Sequence, residues 1–172
     1  YEDAMNIYGS DKPDLRFGMT LVDLDETLAT TDFAVFKNAK KVKAICVKGA
    51  ASLSRSQIDA FTEIAKKEGA GGLAYLTYVD GGIKSPIAKF LTEAELAEIT
   101  AKTGAEDGDI VFFGAGKPAI VNRVLGRMRN EFADFYDLKD KNKVALCWVV
   151  DFPFYEYDEQ NRKVDFGHNP FS

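Results

Sequence analysis

The chain has 172 residues, 22 basic and 27 acidic side chains, a formal net charge of −5 and 46% hydrophobic residues. That is enough for one domain with a real core, or a small domain plus pieces of another, and the composition is that of a globular chain. No apolar run approaches the ~20 residues of a membrane span, and no basic-then-apolar signal segment opens the sequence.

Ala4, Met5 and Tyr8 recur at helical spacing and predict a helix over residues 2–8, stopped by Gly9. In the following run Pro13 fixes its own φ and biases Lys12 towards an extended shape. Asp11, Lys12, Asp14 and Arg16 are therefore expected on a stiff, charged loop. Thr20 or Asp23 would open a short helix through Leu28, and residues 33–37 and 42–47 read as two strands. Ser54 with Gln57 three residues later forms a capping-box pattern, and Ile58, Phe61, Ile64 and Ala65 keep one helix face apolar up to Gly69. A strand is predicted over residues 73–79 and closed by the turn signal Asp80-Gly81-Gly82. A second capping box, Thr92 with Glu95, precedes a helix ending near Gly104, and another strand follows over 109–113. Pro118 suits the first turn of a long helix that buries Val121, Val124, Leu125, Met128 and Phe132, with Arg123, Arg127 and Arg129 placed on its solvated face. The last strand, 144–150, is apolar on both faces and so expects cover on both sides.

Charge is unevenly spread. Residues 1–32 carry eight acidic and two basic side chains, residues 33–143 fourteen and eighteen, and residues 144–172 five and two, so only the middle is basic. Lys37, Lys40, Lys41, Lys43, Lys48 and Arg55 occur there without an intervening acid. They form either a candidate contact for a polyanion or a solvated edge that discourages strand pairing. Cys46 and Cys147 stand singly in apolar runs without a CxxC partner, which suits a reducing, cytoplasmic compartment better than a disulfide or metal site.

Two local motifs invite chemistry. Asp23-Leu24-Asp25-Glu26-Thr27 matches the DxDxT signature of haloacid dehalogenase-type phosphatases, in which one carboxylate attacks phosphorus and the other shuttles a proton beside Mg²⁺. The competing reading is an acidic helix start, because the later acidic pair, Asp107 and Asp109, precedes its strand and a doubly wound pattern is missing. Gly114-Ala115-Gly116-Lys117-Pro118 could cradle an anion at a helix start, but it lacks P-loop spacing and reads first as a plain strand-to-helix turn.

The run Tyr8-Gly9-Ser10-Asp11-Lys12-Pro13-Asp14-Leu15-Arg16 resembles the YGSDKPDLR loop of bacterial-type, class II aspartyl-tRNA synthetases. Trp148-Val149-Val150-Asp151-Phe152-Pro153-Phe154-Tyr155-Glu156 and His168-Asn169-Pro170-Phe171-Ser172 look like later segments of the same enzymes. Ala51-Ser52-Leu53-Ser54-Arg55, Gly72-Leu73-Ala74-Tyr75 and Ser85-Pro86-Ile87-Ala88-Lys89-Phe90-Leu91 look like their inserted GAD domain.

The resemblance implies an α+β fragment: a flank over 1–32, a two-layer GAD-like insert over 33–140 with a mixed sheet and covering helices, and a returning flank over 141–172. The parent would activate L-aspartate with ATP and Mg²⁺, transfer it to tRNA, and work as a cytoplasmic homodimer. The fragment would carry no catalytic residue and no metal ligand. His168 matches the first histidine of the family's His-His-Pro-Phe-Thr pattern and would help to bind aspartate; Asn169 stands in place of the second. Asp151 and Glu156 keep the family's residue types without an assigned role. The alternative is a non-catalytic, tRNA-binding or structural GAD domain of a tRNA-dependent amidotransferase subunit.

Overall fold

The computed structural model describes residues 1–158 and 161–167. Five strands, β1 (Val22–Asp23), β2 (Lys41–Val47), β3 (Ala74–Val79), β4 (Gly82–Lys84) and β5 (Ile110–Gly116), form one sheet in the order β1-β2-β5-β3-β4. The fold is α+β, but the sheet is antiparallel at every pairing and not mixed as the sequence suggests. β2 and β5 lie at its centre and run in register from Lys41 opposite Gly116 to Val47 opposite Ile110.

Both central strands are buried along most of their length, so both faces need cover. The expected two layers are therefore three. On one face, α3 (Arg55–Lys67) and α5 (Pro118–Phe135) pack on Ile45, Val47, Ile110 and Phe112. The ring of Phe132 lies parallel to Phe112 at 4.7 Å and tilted against Phe61 at 4.6 Å. On the other face, Ile99 of α4 (Glu93–Thr103) joins Leu24, Leu28 and Phe36 over Ala44, Leu76, Val111 and Phe113. Both capping boxes close as the spacing predicts: Ser54 exchanges hydrogen bonds with Gln57, and Thr92 with Glu95. Each cap is worth about 1 kcal/mol.

Three predicted elements differ. Residues 33–37 are not a strand; Ala34–Lys37 is a helical turn, α2. Phe33 and Phe36, three residues apart, put their rings edge to face at 4.7 Å, and Phe36 continues onto Phe113 while Val35 is exposed. That is helical periodicity in a segment too short to distinguish it from alternation. Nor do residues 20–28 form a helix. Val22 and Asp23 pair with Ala44 and Lys43, and the Asp25 carboxylate accepts the Val42 amide at 2.7 Å, so the acidic run extends the sheet edge and then turns. Finally, residues 144–150 form no strand, and Val144, Leu146 and Trp148 are almost fully exposed. A strand needs a ladder of backbone hydrogen bonds, whereas this segment is met at its far end by the amino group of Tyr1, which donates to the Val150 carbonyl. A short hairpin, β6 (Tyr155–Asp158) with β7 (Lys163–Phe166), follows.

The amino-terminal helix α1 (Glu2–Tyr8) crosses α5 where two glycines meet. A Cβ on Gly126 would lie 2.4 Å from the Gly9 carbonyl oxygen, and Gly9, at φ 69°, closes α1 in the left-handed region. Because the obstacle at Gly126 is backbone, no rotamer change relieves it. Replacing a helical glycine by alanine ordinarily gains up to ~1 kcal/mol; here overpacking of about 1–3 kcal/mol opposes that gain. Gly126→Ala is thus expected to lower the urea midpoint, whereas Gly18→Ala, with nothing within 4 Å of the added Cβ, leaves it near the parent value.

Candidate functional site

The charged loop between α1 and β1 is held by a residue far away in sequence. Arg129, on α5, is 1% exposed. Its Nε donates to the Met19 carbonyl at 2.6 Å, and one Nη donates to the carbonyls of Asp14 at 2.7 Å and Phe17 at 3.3 Å. The guanidinium plane also lies 4.1 Å from the centre of the Phe17 ring and 5.0 Å from that of Tyr8. Burial pushes the Arg129 pKa down, yet arginine stays charged, so three carbonyl dipoles and two ring faces replace its hydration.

Inside the loop, Asp14 and Arg16 form a two-pronged ion pair at 2.7 to 3.2 Å. Hydrogen bonding to Arg16 lowers the Asp14 carboxyl to about 2. Lys12 is exposed, and its amide is turned inward by the Ser10 hydroxyl at 3.0 Å. The loop therefore presents Lys12 outward, beside a half-buried Asp11, from a frame fixed at Asp14, Phe17 and Met19.

Sequence reading misses Arg129 by assigning it to the solvated face. The signal lies one stripe over on the same helix. Asn122, Gly126, Arg129 and Ala133 recur at spacings of four, three and four, all buried, and this stripe faces α1 and the loop rather than the sheet.

The predicted basic stretch is not one surface. Lys43 is 2% exposed, and its ammonium donates to the Asn6 carbonyl, the Asn6 side chain and the Asn122 side chain at 2.9 to 3.1 Å. Burial lowers its pKa. Lys41 bridges Asp23 at 2.7 Å and Asp25 at 2.5 Å. Lys48 pairs with the buried Asp109 at 2.9 Å. Burial alone would raise the Asp109 carboxyl, but Lys48 and the amides of Glu106 and Gly49 outweigh it and the net shift is downward. Lys37, Lys40 and Arg55 point to solvent.

The phosphatase reading fails on this geometry. Asp23 and Asp25 are engaged by one lysine at the edge of an antiparallel sheet, with no doubly wound framework. At the other motif, Gly114 serves packing: an added Cβ would meet Leu125 at 3.0 Å and Val121 at 3.3 Å. Cys46 is half-buried, and burial pushes its thiol up to about 11, so it is inert as a nucleophile. His168 and Asn169 lie outside the described residues.

Comparison with known proteins places these features in a family. The GAD domain model matches residues 34–125. Across all of its length the chain is 48% identical to an aspartate–tRNA ligase of Shouchella clausii, covering 30% of that protein. It is 45% identical to an aspartate–tRNA(Asp/Asn) ligase of Pelodictyon phaeoclathratiforme, covering 29%, and 46% identical to one of Caldanaerobacter subterraneus, covering 30%. The chain thus spans about 30% of the length of the curated relatives it matches.

Two outcomes follow from the arginine cage. Arg129→Met leaves three half-buried carbonyls short of a donor, at about 1–3 kcal/mol for each one that water fails to reach. It should lower the unfolding free energy and speed amide exchange over residues 10–19, while Arg129→Lys, a point charge without the guanidinium fork, recovers only part of the loss. For Asp14, a depressed folded pKa means stability that is present above the unfolded value of 3.8 and lost as the pH falls towards about 2. Asp14→Asn should therefore flatten the stability profile across that window, and an unchanged profile would remove the pair from the account.

Proposed function

The chain belongs to the GAD domain family, and we propose that it serves as the GAD-bearing portion of an aspartate–tRNA ligase, supplying structure and RNA contact rather than the chemical step. One observation carries this reading: similarity to the ligases does not stop at residues 34–125 but covers 100% of the chain, including the loop caged by Arg129. A GAD domain of an amidotransferase subunit would account for the middle alone.

In the proposed parent reaction the carboxylate of L-aspartate would attack the α-phosphorus of ATP, breaking the α–β anhydride bond and releasing pyrophosphate, and a terminal hydroxyl of tRNA would then take the aspartyl group from the mixed anhydride and release AMP. Mg²⁺ would neutralise phosphate charge in the parent. The residues here do not fit that ion: no group of three or more His, Cys, Asp or Glu is placed to hold a metal among the described residues. The two arginines nearest the charged loop are also committed, Arg16 to Asp14 and Arg129 to backbone carbonyls. No step through ATP or Mg²⁺ is assigned to this chain. His168 remains the proposed aspartate contact, since an imidazole can donate to a carboxylate. Of the six basic candidates, the exposed Lys37, Lys40 and Arg55 are the proposed tRNA contacts. A cytoplasmic, homodimeric parent accords with the reading, and no helix among the described residues is long and apolar enough to cross a membrane.

The test is a transplant. The matching segment of the Shouchella clausii ligase is exchanged for this chain, and aspartylation of tRNA is measured. Retention of activity within about tenfold of the parent is expected, with the KM for aspartate raised on His168→Ala. The chain by itself should show no aspartate-dependent pyrophosphate exchange above a heat-inactivated control. A folded but inactive chimera would overturn the ligase reading, and exchange by the chain alone would overturn its non-catalytic role.

A further inference from the structure

Between α2 and the β3 side of the sheet lies a cavity of about 320 Å³. It is lined by the rings of Phe33, Phe36 and Phe113 and by the exposed Gly71 and Gly72, whereas the ring of Tyr75 packs on the other face of the sheet against Phe112. At the mouth, Phe33 lies nearly parallel to Phe90 at 5.3 Å and 16°, extending an aromatic shelf outward to a ring that is 45% exposed. The Lys89 ammonium sits 5.0 Å from the centre of that same ring. Lys37, one residue beyond Phe36, keeps a 63% exposed side chain and approaches Asp32 only at 3.9 Å.

We infer that this cavity takes an unpaired nucleotide of a single-stranded RNA, with its base against the rings of Phe33, Phe36 and Phe113 and its phosphates at Lys89 and Lys37. Three observations converge. Aromatic faces select a flat π system and tolerate any base, because every base has a π face. The glycine backbone offers peptide groups to a base edge without a side chain in the way. The Lys89 ammonium beside the Phe90 ring, with the exposed Lys37 following Phe36 in the chain, suits a polyanion and would be unnecessary for an aliphatic side chain. A duplex cannot use the site, since its bases are already stacked on one another. The inference deepens the ligase reading, on which RNA rather than another single strand rests; the pocket itself is argued from its walls.

The experiment uses the 172-residue chain and a fluorescein-labelled ten-nucleotide oligoadenylate, read by anisotropy at low salt, with a duplex of equal length as control. Binding of the single strand should exceed that of the duplex and weaken steeply with added salt. Phe90→Ala and Lys89→Gln, both at exposed positions, should each weaken it by about tenfold. Gly72→Leu, where an added Cβ meets nothing within 4 Å, should block the cavity and weaken binding at least as much without loss of the folded state in circular dichroism. Equal affinity for strand and duplex, or indifference to all three substitutions, would overturn the inference. So would uptake of an apolar dye that Gly72→Leu abolishes while RNA stays unbound, because that would assign the cavity to an apolar side chain of a protein partner. Failure here with an active chimera leaves the ligase reading intact, and an inactive chimera with sensitive RNA binding leaves the pocket intact, so the two are separable.

Discussion

A single buried cation fixes how the first third of the chain meets the rest. Arg129 can be buried only if something replaces its water, and the loop between α1 and β1 supplies that replacement with three backbone carbonyls. The exchange is mutual. Those carbonyls come from residues 14, 17 and 19, spaced unevenly along an irregular backbone with no ladder to satisfy them, and without the guanidinium they would need solvent. A fork of fixed geometry can reach several acceptors at once, which a lysine cannot do, so the arginine determines the loop's shape as well as its attachment. Downstream of the cage, Leu21 enters one core and Leu24 the other, so the position of the sheet edge depends on the same anchor.

The close crossing of α1 on α5 serves that anchor. Two glycines bring the backbones into contact, and this places Asn6 beside Asn122 to share the ammonium of Lys43. A long side chain at either glycine would lift α1 and open both the Lys43 cluster and the Arg129 cage. The small residues of the 122, 126, 129, 133 stripe are therefore a geometric requirement of two buried cations. Both cations are held directly by neutral oxygens, while carboxylates act on them from further off: Asp23 and Asp25 on Lys43, and Asp14 on Arg129.

Much of this was legible in the sequence, and the failures have common causes. Elements with their own punctuation were read well: both capping boxes, the left-handed Gly9, and the proline-led α5 rest on local rules that hold whatever the rest of the chain does. The short elements went wrong because their shape is set by neighbours. Residues 33–37 offer two aromatic rings whose spacing serves a helical turn or a strand equally, and Phe113 beneath them decides. Residues 22–25 became a sheet edge because the Val42 amide and Lys41 were there to take the carboxylates. Double-sided burial was expected of 144–150 and belongs instead to β2 and β5; a run of apolar residues announces a need for cover but not where the cover lies. For the site, the loop motif was visible and its arginine anchor was not, because a 115-residue separation leaves no local signature.

Charge counting misled most where it looked most informative. Six cations with no intervening acid suggested a continuous positive edge, yet alternation along β2 sends Lys41 and Lys43 towards the α1 side, where carboxylates and amide oxygens consume them. Lys48 leaves the strand and caps Asp109, whose carboxylate in turn holds the turns at 49 and 106. Of the six, those left exposed are Lys37 and Lys40 at the end of α2 and after it, and Arg55 at the start of α3; Lys89 beside Phe90 is exposed as well. The positive charge that the sequence concentrates along one strand is thus partly consumed there, and Lys37, Lys40 and Lys89 are among the cations left exposed. The cause is structural economy: cations near the chain's acidic first third are drawn inward to satisfy it, and only those beyond its reach stay available to a partner.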